Sequence, residues 1–326
     1  MGYYFQAAQG QIQLLNKRQP VAGLIDDEAT PEKLRQQLRQ ATAIRQYAIA
    51  QMHFNGDPGF SQYTDLQRPY VSWNVVAAPH YSVEPKTWCF PIAGCVAYKG
   101  YFKQSKAEQE KRALIEQGYD VLVYGVAAYS TLGWFDDPLL NTYINYPEAD
   151  LAALLFHEIS HQVVYLQDDS EFNEAFATAV EQVLLDRWLL QQNDAEEIEQ
   201  ISLNRQRKNR ITEMVLEYRN RLIEAYEGTD PAADKQRLFG EMKQAYSVIK
   251  ARGDGTRYYD WWFSRPLNNA DLLTVSTYFR LVPAFSSMIT QRNGDLPGFF
   301  DDVKELASKP KEERDQALAM LLALQN

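Results

Sequence analysis

The chain has 326 residues, of which 45 % are hydrophobic and 23 % charged, a balance that excludes general disorder and allows one large folded unit or two modest ones. Its formal net charge of −10 disfavours a nucleic-acid partner, because the phosphates would be repelled. No stretch approaches the roughly 20 apolar residues that a membrane-spanning helix needs. We expect a single unit over residues 1–326, divided at most into two lobes at 1–146 and 147–326.

The first half of the sequence predicts helices and a small β-sheet. Residues 3–15 have a helix-like pattern, and Thr30 followed by Pro31 is typical of the start of a helix that extends to about residue 54. A charged helix is predicted at 103–117. The strand-like segments are 71–78, 87–90, 96–98 and 120–129.

From Pro147 onward, apolar residues recur mainly at helical spacing. The predicted helices are 148–167, 171–192, 194–227, 231–252, 270–291 and 310–325. The strongly charged stretch 194–252 is typical of a solvated helical hairpin. A small early sheet followed by a helical body predicts an α+β fold rather than a wound α/β fold.

Two of the four histidines lie in the pattern His157-Glu158-x-x-His161. Residues four apart share one face of a helix, so both imidazoles can converge on one ion. The surrounding residues are apolar on nearly every side, as in a buried helix, where unpartnered imidazoles and a carboxylate would each be costly. The pattern therefore predicts a metal site, with Glu158 close enough to reach a water molecule on the ion.

A catalytic zinc ion needs a third protein ligand and one open position. The next predicted helix follows a tight break at Asp168 and Asp169, with Ser170 as its expected cap, so its first turns should pack near His161. Glu174 lies one turn into that helix and is the favoured third ligand. Glu171, nearer the helix end, is the alternative.

The zinc motifs resemble those of the gluzincin metallopeptidases, since His157-Glu158-x-x-His161 is followed by Asn173-Glu174-Ala175-Phe176-Ala177. In that clan an Asn-Glu-x-x-Ala type helix supplies the third zinc ligand. The resemblance therefore implies a zincin-like fold, one Zn²⁺ ion, peptide substrates, and a cleft that carries the helix with both histidines.

A narrower resemblance covers most of the chain and points to a bacterial family described as putative zinc-dependent aminopeptidases. The similar segments are 2–7, 87–102, 128–135, the zinc motifs, 267–270 and 281–285. Members of that family tend to begin with a lipoprotein leader just before the Tyr-Tyr segment. The resemblance implies a periplasmic protein on a lipid anchor, with a cytoplasmic location as the alternative.

The two cysteines, Cys89 and Cys95, close a short loop. Their spacing does not match a zinc-knuckle pattern, and an oxidising compartment favours disulfides. A disulfide between them is therefore expected if the protein is periplasmic.

The strand at 121–128 precedes the helix with the zinc motif, and it forms either a plain core strand or the edge of the cleft. In the second case an extended peptide could pair with it, and Ala128 and Tyr129 would contact the substrate. Glu171 could hold the free amino terminus of a peptide if Glu174 binds zinc. The candidates for an oxyanion donor are Tyr258, Tyr259, Tyr278 and Asn268, whereas Asn269 is expected to cap a helix that starts near Ala270.

These observations predict a zinc metallopeptidase, with Glu158 as general base and an aminopeptidase as the favoured type. The Gly-Ala-Met-Glu-Asn type loop of well-known gluzincin aminopeptidases is absent, which leaves an endopeptidase open. A metal-binding chaperone or scaffold of the cell envelope is an alternative of another class. That alternative predicts the loss of the base at position 158, where Glu158 is present.

Overall fold

The structure is a computed structural model that describes residues 2–90, 94–128, 136–193 and 195–323, without the side chains of residues 2, 4–8, 277 and 278. Helices dominate this part of the chain. They are α1 (Gly2–Asn16), α2 (Val21–Asp26), α3 (Glu32–Met52), α4 (Gln104–Glu116), α5 (Glu148–Ser160), α6 (Ser170–Gln192), α7 (Ala195–Tyr226), α8 (Pro231–Ala251), α9 (Arg257–Phe263), α10 (Asn269–Phe279), α11 (Val282–Gln291), α12 (Leu296–Ala307) and α13 (Lys311–Ala323).

The strands are short and form three small sheets. They are β1 (Gln19–Pro20), β2 (Gln62–Thr64), β3 (Ser72–Pro79), β4 (Trp88–Phe90), β5 (Gly94–Val96), β6 (Lys99–Tyr101), β7 (Tyr119–Val126) and β8 (Leu139–Leu140). The main sheet has the order β6-β3-β7, with β3 antiparallel to both neighbours, so β7 is an edge strand among the described residues. The predicted α+β class, with an early sheet and a helical body, is confirmed.

The prediction of one helix over residues 270–291 is wrong, because α10 ends at Phe279 and α11 begins at Val282. Pro283 explains the break: it has no N–H to donate to the carbonyl of residue 279, and its ring clashes with that carbonyl. Of the predicted strand at 96–98, only Val96 lies in a strand, because β5 ends at Val96 and β6 begins at Lys99.

Several short elements were not predicted. They are α2, α9, α12, β1, β2 and β8. Most span so few residues that their apolar pattern shows no clear period. The 12-residue α12 does carry a strong one, with Leu296, Phe299, Phe300, Val303 and Leu306 all buried, so the signal was present in the sequence.

The largest group of buried apolar residues crosses the predicted lobe boundary. It includes Leu38 and Ile44 of α3 together with Phe156 of α5 and Phe176 of α6. A second group lies among α7, α8, α9 and α10 and includes Trp262. The division at 146/147 stays a prediction.

Two further features concern the expected environment of the protein. Cys89 and Cys95 face each other across the β4–β5 hairpin and form a disulfide. Among the described helices, none combines the length and the apolar character that crossing a bilayer requires.

Candidate metal centre

Helix α5 carries His157 and Glu158 in its last turn, and His161 is its C-cap residue. The apolar pattern predicts a helix that extends to about residue 167, but α5 ends at Ser160. Its opposite face packs into the largest group of buried apolar residues, which we call the main core. There Leu155, Phe156 and Ile159 are fully buried. This packing holds the functional side chains on the remaining face.

The side chain of Asn173 holds the segment that joins α5 to α6. It accepts a hydrogen bond from the Leu166 N–H at 2.8 Å and donates one to the Leu166 carbonyl at 2.7 Å. Both backbone groups of Leu166 are thereby satisfied outside any helix, which stabilises the early end of α5. Asn173 directly precedes Glu174 and so connects the two halves of the site.

The first turn of α6 is capped by Asp169, not by Ser170 as predicted. Its carboxylate accepts a hydrogen bond from the Phe172 N–H at 3.2 Å. The same carboxylate forms a buried ion pair with Arg314 of α13 at 3.1 Å. The C-terminal helix therefore helps to fix the start of the helix that carries Glu174.

The structure brings His157, His161 and Glu174 together, and we call these residues the metal triad. One possible ligand atom from each lies within 4.8 Å of the others. The Oε2 atom of Glu174 is 3.2 Å from His157 Nε2 and 3.8 Å from His161 Nε2. Two imidazole nitrogens and one carboxylate oxygen are a donor set typical of catalytic zinc sites.

Glu181 also contacts the metal triad, although the sequence prediction did not single it out as a candidate site residue. It accepts a hydrogen bond from His157 Nδ1 at 3.1 Å. A carboxylate on the second nitrogen of a metal-binding histidine fixes its tautomer and orientation. The signal was present, because Glu174, Thr178 and Glu181 recur at spacings of four and three on one face of α6.

Burial shifts the pKa values of the groups around the metal triad. It raises the pKa of Glu158 to about 7, with nearby His157 opposing and Glu174 reinforcing the effect. It lowers the pKa of His161 to about 4, which keeps this imidazole neutral. For His157, burial is opposed by hydrogen bonds and charges from Glu174 and Glu181, and the pKa is raised.

The pKa of Glu174 is lowered although burial alone would raise it, because the hydrogen bond from His157 and the electrostatic effect of the two imidazoles favour the carboxylate. The site thus combines one ionised carboxylate, Glu174, with one carboxyl group, Glu158, that can exchange a proton near neutral pH. Tyr124 of β7 lies in the electrostatic reach of Glu174 and bonds Asn74, and burial raises its pKa to about 12. From the sequence alone, Tyr124 is expected only to form part of a strand.

Two of the three candidate substrate contacts, Glu171 and Ala128, bind or pack elsewhere in the structure. Glu171 forms a two-pronged ion pair with Arg280, so a peptide amino terminus would have to displace that guanidinium. Ala128 packs against the main core. Tyr129 lies outside the described residues.

Of the four candidate oxyanion donors, two have structural roles that exclude the assignment. Asn268 caps α10 and accepts from the Ala270 N–H at 2.9 Å, so the cap predicted at Asn269 lies one residue earlier. Tyr259 is fully buried and bonds Thr212 at 2.6 Å. The hydroxyl of Tyr258 bonds Thr274, and the side chain of Tyr278 lies outside the described part of the chain.

Comparison with known proteins gives one result. The model of a family described as "Putative aminopeptidase" matches residues 2–318 of the chain. No curated protein and no solved structure gives a significant match.

Proposed function

Because the chain belongs to the family described as "Putative aminopeptidase", we propose that it is a zinc-dependent aminopeptidase whose ion is bound by the metal triad. One observation carries the proposal: two imidazoles and a carboxylate from two packed helices converge within 4.8 Å. Glu158, next to His157 in the chain, is the proposed general base.

The donor set fits a zinc ion better than it fits a purely structural cluster. His161 is buried and neutral, and its Nδ1 atom has no hydrogen-bond partner. Its Nε2 atom is 3.8 Å from Glu174, too far for a hydrogen bond. A buried imidazole with so few partners is costly unless a ligand satisfies it, and neutral imidazole nitrogen is a natural zinc ligand.

Bound to the metal triad, a zinc ion would supply Lewis-acid chemistry for hydrolysis of a carbonyl compound. Glu158 would take a proton from the attacking water and deliver it to the leaving amine. A pKa of about 7 suits both halves of that transfer near neutral pH. Glu181 would hold the His157 ring in one orientation through its bond to Nδ1.

The position of β7 supports a peptide as the substrate. Its free edge among the described strands leaves backbone groups that an extended chain could pair with. Tyr124, on the same strand, lies near Glu174. A peptide paired with β7 would therefore pass close to the metal triad.

The test is a peptide-library digest with the native protein and the Glu158→Gln variant, both loaded with zinc. We expect the native protein to remove N-terminal residues and the variant to be slower by about 10²–10⁴-fold, with zinc content unchanged. Equal rates, or no cleavage by zinc-loaded native protein, would reject the peptidase proposal. Internal cleavage would instead identify an endopeptidase.

We also propose a periplasmic location with a lipid anchor. The Cys89–Cys95 disulfide supports the location, since structural disulfides persist in oxidising compartments. Fractionation of cells that express the full natural gene tests it, and recovery of the protein in the cytoplasm would reject it.

A further inference from the structure

A narrow cavity lies beside Glu174, between the main sheet and helices α6 and α10. Val76 of β3 and Tyr124 of β7 face it from the sheet, and Leu273 of α10 lies on the helical side. Ala97, from the turn between β5 and β6, also lines it. The cavity therefore lies between one proposed zinc ligand and the strand that would pair with a peptide.

Most polar groups around the cavity already have partners. The Tyr124 hydroxyl bonds Asn74, and the Thr274 hydroxyl donates to the Asp271 carbonyl at 2.7 Å. The Glu174 carboxylate bonds His157. Ser170 adds one hydroxyl to the wall. A side chain that enters the cavity would thus meet a mainly apolar surface and gain from burying apolar atoms.

The size of the cavity limits what can enter. Its free volume is about 20 Å³, enough for a single water-sized group. A methyl group is of that size, whereas a leucine or phenylalanine side chain would force the packed walls apart. The walls are rigid elements, since Val76 and Leu273 are buried in the sheet and in α10.

We propose that this cavity is the subsite for the side chain of a residue next to the scissile bond, and that it selects alanine. The inference rests on the proposed function. The Cβ atom of the residue that provides the scissile carbonyl is only two bonds from the carbonyl carbon. A substrate carbonyl held at the metal triad therefore keeps its own side chain within reach of a cavity bounded by Glu174.

The first experiment compares kcat/KM of the zinc-loaded native protein for glycyl, alanyl, seryl, valyl and leucyl dipeptide amides. Burying one methyl group should favour alanine over glycine by about four-fold. Leucine should be at least about ten-fold poorer than alanine. Ala-Leu and Leu-Ala amides distinguish a side chain before the scissile bond from one after it.

Two variants should move this preference in opposite directions. Ala97→Val fills the cavity from a turn and should abolish the advantage of alanine over glycine. Leu273→Ala enlarges it and should raise the leucine-to-alanine ratio by at least about ten-fold. Leu272→Ala, a change at a neighbouring buried residue that packs in the second core group, is the matched control and should leave the ratio unchanged.

A binding measurement keeps the subsite testable apart from turnover. Alanine and leucine hydroxamates are titrated into zinc-loaded Glu158→Gln protein, and alanine hydroxamate should bind more tightly. Leucine or phenylalanine peptides cleaved faster than alanine peptides, or ratios unmoved by both variants, would overturn the subsite but leave the peptidase standing. If no peptide is cleaved, the proposed function fails, and the order of hydroxamate binding alone decides the subsite.

Discussion

Two neighbouring pairs of packed helices differ in how deeply their charged side chains are buried. Between α5 and α6, the metal triad and Glu158 meet in a largely buried site. Between α7 and α8, charged groups pair near the surface, as Arg221 does with Glu241 at 2.5 Å, with the side chains 37 % and 35 % exposed. Both are packed helix pairs, but the imidazoles and carboxyl groups of the first meet out of water, whereas the Arg221–Glu241 pair of the second stays in contact with it.

This difference in burial distinguishes charged groups of the proposed reactive site from charged groups that keep a helix surface in contact with water. A charged group near the surface keeps most of its hydration, and its ion pairs contribute little free energy. A buried imidazole or carboxyl group is costly unless a partner or an ion satisfies it, and its pKa shifts accordingly. The shifted pKa values of Glu158 and His161 therefore support the proposal that the reactive site lies where α5 meets α6. The α7–α8 pair matches the solvated hairpin that the charge pattern predicts.

The largest effect is expected at Glu174, the proposed third zinc ligand in the α5–α6 pair. Glu174→Ala should reduce bound zinc from one ion per chain to almost none and lower peptidase activity by about 10³-fold or more, since the ion loses one of three ligands. Elemental analysis and peptide hydrolysis measure both. Glu171→Ala is the control and should retain the ion. Stoichiometric zinc in the Glu174→Ala protein would point to Glu171 instead.

A second change tests the buried ion pair at the start of α6. Arg314→Met should lower the free energy of unfolding in urea by up to about 3–5 kcal/mol, because the buried Asp169 carboxylate loses its closest cation and keeps only the exposed Lys311, at 3.4 Å. Adding Asp169→Asn should recover part of that loss, since asparagine is neutral and still caps a helix. No loss with Arg314→Met would contradict a stabilising role for this ion pair.

A third change tests the carboxylate behind the first ligand. Glu181→Gln should weaken zinc binding by about 10–100-fold without changing its stoichiometry, because the orientation of the His157 ring is less well fixed. Competition with a chromogenic chelator measures the affinity. Glu199→Gln, an exposed carboxylate of α7, is the matched control. An unchanged affinity in Glu181→Gln would refute the orienting role.

The smallest expected effect tests the surface pair of helices. Glu241→Gln removes a carboxylate that Arg221 and Arg237 share, although Arg237 keeps its ion pair with Asp234. The free energy of unfolding should fall only slightly, far less than with Arg314→Met, and the difference should shrink in high salt, because exposed pairs are screened. A loss comparable to that of Arg314→Met would erase the contrast between the two helix pairs.

Much of the fold and of the candidate site could be predicted because the signals are local. His157 and His161 are four residues apart, so helix geometry alone places them on one face. The apolar stripe of α6, including Phe172, Phe176 and Val180, similarly predicts which side of that helix is buried. Helical spacing can be recognised in a short segment without knowing how the rest of the chain folds.

Other features depend on contacts between distant segments. The early end of α5 depends on the Asn173 side chain, which competes for the backbone of Leu166. Asn268 and Asn269 are adjacent and chemically alike, but only the first caps α10, because the second bonds Tyr226 and the carbonyl of His80 instead. A single sequence does not reveal which of two like side chains has a partner elsewhere.

The sequence by itself therefore determined the helical segment that places His157 and His161 on one side, the α+β class and the pairing of α5 with α6, since each follows from spacing along the chain. Only the tertiary structure decided that Glu181 supports His157, that Asp169 is held by α13, and that a narrow cavity lies beside Glu174. The physical reason is that a periodic pattern specifies which face of an element is buried, whereas a partner across the fold depends on how elements far apart in sequence pack together.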